Sequence, residues 1–69
     1  MDNKRVFINS RKIRMLLFDR KLTQTSVAER AKLNPQLVNT VINRGSCTFA
    51  TLERMAEAIE VNAQDLIIS

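Results

Sequence analysis

Gln36, Asn39, Thr40 and Asn43 are the residues whose types and spacing best suit recognition chemistry. At 100° per residue on a helix, Gln36, Thr40 and Asn43 fall within roughly 60° of one another. Asn39 flanks them on one side, Leu37 and Arg44 on the other. The resulting face is polar and uncharged until Arg44. A carboxamide both donates and accepts, so Gln or Asn can pair bidentately with N6 and N7 of adenine in a major groove. The alternative is an ordinary solvated face, although surface helices are more often filled with Glu and Lys.

A second segment points the same way. Thr23-Gln24-Thr25-Ser26 opens a helix with no carboxylate in its first turn, where an acid would suit the helix dipole. That leaves N–H groups and hydroxyls on which a phosphate could dock. Plain capping by Thr23 is the simpler explanation, and it accounts for one residue. Two such helices in succession, one suited to phosphate and the next to base edges, make a helix-turn-helix over about residues 23–43.

The charge distribution supports an anionic partner. The 69 residues carry a net charge of +4. Residues 1–45 hold ten basic and three acidic side chains, whereas residues 46–69 hold one and four. A basic working surface and an acidic back follow. Other classes fall away. No His is present, which removes imidazole metal ligation and His-based acid–base catalysis. Cys47 is the single cysteine, so no intrachain disulfide or Cys-rich zinc site can form, and a reducing, cytosolic setting is expected. The longest apolar run, Met15-Leu16-Leu17-Phe18, is far below the roughly 20 residues of a membrane span. No signal peptide is visible, and no catalytic set or cofactor motif appears.

These faces need helices to position them. Apolar residues recur at helical spacing in four places, and strand-length alternation is absent, so an all-α chain forming one domain over residues 1–69 is expected. Asn9, Thr23, Asn34 (followed by Pro35) and Thr48 are the expected N-caps, and Asn62 opens a fifth, short helix. The inner stripes are Ile13, Leu16 and Leu17; Val27, Ala28 and Ala31; Val38, Val41 and Ile42; and Leu52, Met55, Ala56 and Ile59. Glu53, Glu57 and Glu60 face outward on the fourth helix and supply most of the acidic back.

With that order in place, Leu22 through Ala31 and then Asn34 through Asn43 closely resemble the phage repressor and Cro family of helix-turn-helix proteins. Thr51 through Ile59 and Val61 through Leu66 resemble that family's fourth and fifth helices. The resemblance implies a compact five-helix bundle of the lambda-repressor-like kind, binding operator DNA as a homodimer, without catalysis, cofactor or metal. Carried over by position, Pro35, Gln36, Asn39 and Thr40 would touch bases, and Leu37 could meet a thymine methyl. Gln24 would hold a phosphate and brace the recognition helix, Asn43 and Arg44 would hold the backbone, and Thr23 and Thr25 would lie beside them. Lys21 and Lys32 stand where the family often has Gly. A left-handed Lys32 would cost roughly 1 kcal/mol, and its added cation could face the DNA backbone.

Some hydrophobes fall outside this scheme. Met15 and Phe18 project from the face of the first helix opposite its inner stripe. Phe7, Ile67 and Ile68 are loose at the chain ends. They are expected either to meet, with the ends pairing as short strands, and border a dimer interface, or to fold back within one monomer. Residues 1–8 could form an N-terminal arm, with Asn3-Lys4-Arg5 reaching a minor groove, or a frayed terminus. Cys47 is expected to be a small buried residue. The expected function is a sequence-specific double-stranded DNA-binding transcriptional regulator, a repressor of phage or mobile-element type on a palindromic operator, located in a bacterial cytoplasm. The alternative is a protein-interaction module, such as the antitoxin of a toxin–antitoxin pair, using the surface around Met15 and Phe18.

Overall fold

Side-chain caps set where the helices begin. In the computed structural model, which describes residues 4–68, Asn9 Oδ1 accepts from the Lys12 N–H at 3.0 Å and opens α1 (Ser10–Asp19). Thr23 Oγ1 accepts from the Ser26 N–H at 3.0 Å and opens α2 (Gln24–Ala31). Asn34 Oδ1 takes the Gln36 N–H at 2.8 Å ahead of Pro35, the first residue of α3 (Pro35–Arg44). Thr48 Oγ1 takes the Thr51 N–H at 3.3 Å and opens α4 (Phe49–Ile59). Each cap satisfies one donor that the helix itself cannot, worth about 1 kcal/mol.

The expected inner faces form the core. Ile13, Leu17, Val27, Ala28, Ala31, Val38, Val41, Ile42, Leu52, Met55, Ala56 and Ile59 are buried, with Leu16 half-buried at the edge. Ile8, Cys47, Ala58 and Leu66 join them. A fully buried Leu or Ile contributes roughly 1.5–3 kcal/mol, so this set fixes α2 and α3 against each other and α2 against α4. The Arg20 guanidinium donates to the Ile59 carbonyl and ties the end of α1 to the end of α4.

Two features depart from the expected all-α, five-helix bundle. First, β1 (Arg5–Phe7) pairs antiparallel with β2 (Ser46–Thr48), in the register Arg5↔Thr48, Val6↔Cys47 and Phe7↔Ser46. Ile8 continues the segment by bridging Ile67, and the Ile68 N–H donates to the Phe7 carbonyl at 3.0 Å. Val, Phe and Ile suit a pleated backbone, but three paired residues are too few to leave a period-2 signature. Residues 5–8 are therefore held in the fold rather than free as an arm; Asn3 lies outside the described residues. Second, the last helix is a single 3-10 turn, Ala63–Leu66. Asn62 precedes it without a side-chain cap bond, and burial of Leu66 anchors it.

The connections are tight and left-handed. Lys21 (φ 56°), Lys32 (φ 59°) and Glu60 (φ 69°) occupy backbone geometry that normally favours Gly. Lys32 is thus left-handed, the condition under which the cost of roughly 1 kcal/mol applies. At Gly45 (φ 80°), which closes α3, an added Cβ would sit 3.6 Å from Ser10 Oγ, an ordinary contact. The backbone angle, not crowding, is what asks for glycine there.

Candidate nucleic-acid interface

Burying Val38, Val41 and Ile42 turns the opposite side of α3 outward. Gln36, Asn39, Thr40 and Asn43 are all exposed on it, with Arg44 at its end. Leu37, at 40% exposure, is the apolar member of this surface. Gln24, Thr25, Pro35, Gln36, Asn39 and Thr40 line one shared groove between α2 and α3. Among the described residues, no ionisable side chain lines that groove. The acidic residues of the back lie elsewhere: Glu57 and Glu60 beside Arg30, Lys32 and Arg54, and Glu53 beside Asn62 and Ala63.

A run of side-chain bonds crosses the surface. Arg14 on α1 donates through Nη2 to Asn43 Oδ1 at 2.8 Å. Asn43 Nδ2 donates to Asn39 Oδ1 at 3.0 Å, and Asn39 Nδ2 donates to Gln24 Oε1 at 2.8 Å. Gln24 thereby fastens the first turn of α2 to the middle of α3, while its Nε2 donates to none of the described residues. By contrast, the side chains of Gln36 and Thr40 make no hydrogen bond among the described residues. Asn39 is committed at both ends of its amide; Gln36 and Thr40 are free to meet something else.

The N-terminus of α2 keeps its open donors. Thr23 caps only Ser26, whose hydroxyl also lies 3.0 Å from the Thr23 hydroxyl. The first-turn N–H groups of Gln24 and Thr25 have no helical acceptor. The missing acid in this turn is less distinctive than the sequence suggests, because α1, α3 and α4 also lack one. What distinguishes α2 is Gln24, poised beside these donors and bonded to α3.

The remaining sequence candidates are distributed more widely. Arg44 is exposed at the C-terminus of α3. Lys32 lines a groove with Arg54, Glu57 and Glu60, outside the α2–α3 groove. Met15 (61% exposed) and Phe18 (84%) flank a depression together with Arg11, Arg14 and Asp19, all on α1. Phe7 and Ile68 are exposed and joined through the backbone, while Ile67 is half-buried; none of the three lines that depression. The chain ends therefore do not meet Met15 and Phe18 there. Arg14 is the residue that sequence reasoning missed. Its role depends on how α1 packs across α3, and no local spacing reports that.

Cys47, paired with Val6 across the short sheet, is 4% exposed. Burial pushes its thiol above the ordinary range, opposed in part by the nearby Arg5 charge. No group of three His, Cys, Asp or Glu suited to a metal ion occurs among the described residues. Nor is any helix of these residues long and apolar enough to cross a membrane.

The Cro/C1-type HTH DNA-binding domain family model matches residues 12–68. Comparison with curated proteins and with solved structures gives no match.

Proposed function

The chain belongs to the Cro/C1-type helix-turn-helix DNA-binding family, and we propose that it is a sequence-specific transcriptional repressor acting as a homodimer on a palindromic operator. The observation that carries this reading is the outward face of α3, where exposed Gln36 and Thr40, whose side chains make no hydrogen bond among the described residues, line a groove that Gln24 braces. In this reading α3 enters the major groove, with Gln36, Leu37 and Thr40 against base edges and Pro35 packing at the entry. Asn39 holds α3 in place and offers its remaining N–H. The N-terminus of α2, with Thr23, Gln24 and Thr25, meets one phosphate, while Asn43 and Arg44 meet the backbone at the far end of α3. Repression follows from occupying DNA that polymerase needs, in the cytoplasm of a bacterial cell.

A two-fold dimer would place two copies of α3 in successive major grooves, about 34 Å apart. The test is to select bound sites from random duplexes with the purified protein. The expected consensus has two-fold symmetry, with half-sites one helical turn apart. Recovery of unenriched sequence contradicts the reading.

One observation favours a second reading. Phe18 is 84% exposed beside exposed Met15, more apolar surface than a DNA-facing role for this domain requires. In an antitoxin-like module that surface would hold a second protein. Isolation of the chain in a stoichiometric complex that Phe18→Glu dissolves would favour this reading.

A further inference from the structure

We infer, resting on the DNA-binding reading, that Arg14 is a positioning residue that fixes the polarity of the amides across the interface without itself needing to touch DNA. The three bonds from Arg14 to Asn43, Asn39 and Gln24 all run in one direction, each amide in the middle accepting on its oxygen and donating from its nitrogen. A chain of amides alone has no preferred direction. Turning each carboxamide by 180° would exchange donor and acceptor at every step and satisfy the Asn43, Asn39 and Gln24 contacts equally well.

Arg14 breaks that symmetry, because a guanidinium only donates. Asn43 must present its oxygen to Arg14, so its NH2 faces Asn39. Asn39 must then present oxygen to Asn43 and NH2 to Gln24. Gln24 is left with its oxygen occupied and its NH2 outward. That outcome matters because a phosphate oxygen accepts and cannot donate. With the chain reversed, Gln24 Oε1 would face the phosphate instead, two acceptors opposed. A charge-assisted bond on an exposed α1 side chain therefore decides, from three residues away in the network, which end of Gln24 the DNA meets.

The experiment is a double-mutant cycle between Arg14→Gln and Gln24→Ala, read as affinity for the selected site. Glutamine keeps a hydrogen-bonding head but both donates and accepts, so it removes the direction and not the contact. Arg14→Gln is expected to weaken operator binding about twofold, because the two directions of the amide chain become equally populated and only one presents the Gln24 NH2 to the phosphate. In the Gln24→Ala background it should cost nothing measurable. Arg14→Lys, which also only donates, should stay close to the parent chain. A loss that persists undiminished without Gln24, with a salt slope reduced by about 0.9 per site, would identify a plain phosphate contact and overturn the inference. So would no loss in either background.

The free protein supplies an independent arm. Side-chain NH2 resonances of Asn39 and Asn43 should shift in Arg14→Gln, while the melting temperature stays put. Unshifted resonances overturn the inference even if the parent chain shows no preference among duplexes. That last result would instead count against the DNA-binding reading.

Discussion

Asn39 Nδ2 lies 2.8 Å from Gln24 Oε1, so the middle of α3 is fastened to the first turn of α2. The same bond divides the amides of α3 by task. Asn39 is engaged with Gln24 and Asn43, while Gln36 stands open. Asn39→Ala should therefore weaken binding to all duplexes by a similar factor, on the order of tenfold, and leave base preference largely unchanged. Affinities on a panel of single-base variants of the selected site would measure this. A loss confined to one base pair would make Asn39 a reader instead of a brace.

Arg44 closes α3 as an exposed cation. Arg44→Ala should weaken specific and non-specific binding alike and lower the salt slope by about 0.9 for each phosphate that Arg44 neutralises. For a dimer neutralising about eight phosphates, the parent slope on a log–log plot would be roughly −7. Titration of binding against salt for both proteins checks both numbers.

The left-handed residues offer a stability test that needs no DNA. Lys21, Lys32 and Glu60 each hold a positive φ in a connection or helix end. Replacement by Gly relieves about 1 kcal/mol of steric cost at each, less the entropy Gly adds to the unfolded chain. Lys32→Gly and Glu60→Gly should each raise the melting temperature by a few degrees in a domain of this size. Thermal unfolding at fixed pH measures it, and a fall in melting temperature would contradict the strain argument.

Cys47 should be chemically quiet in the native state. Its thiol is buried, on a strand paired with β1, and held protonated above the ordinary range. A thiol-specific reagent should react slowly at neutral pH and at the ordinary rate in denaturant. The sign of the pH effect follows. The folded state favours the protonated thiol, so this contribution to stability is complete below the unfolded thiol pKa. It is lost as pH rises through the raised folded value. Cys47→Ala should remove that alkaline decline, as chemical unfolding at several pH values would reveal.

How much of this is legible in the chain depends on the range of the interaction. The caps at Asn9, Thr23, Asn34 and Thr48 follow from one residue bonding two or three positions ahead, and they can be read directly. So can the buried stripe of α3 and, by elimination, its exposed amide face. The β1–β2 pair joins residues some forty positions apart through three-residue strands, too short for the alternation of either to register. Phe7, Ile67 and Ile68 are visible in the sequence as loose hydrophobes at chain ends that could pair as short strands. The Ile8–Ile67 bridge and the Ile68–Phe7 bond do join those ends, but nothing local marks Ser46–Thr48 as the partner strand of β1. The Arg14–Asn43 bond spans 29 positions and two helices, and depends wholly on tertiary packing. Spacing alone presents all the amides of α3 as recognisers, whereas only the fold shows that two of them, Asn39 and Asn43, are already engaged.

The central claim is that the outward face of α3 reads base edges, and Gln36 tests it most directly. Bound sites selected from random duplexes by the parent chain and by Gln36→Ala should differ at one base pair in each half-site. Discrimination there should fall by about 1–3 kcal/mol while other positions keep their preference. Equal loss on every sequence would contradict the assignment and leave α3 a scaffold rather than a reader.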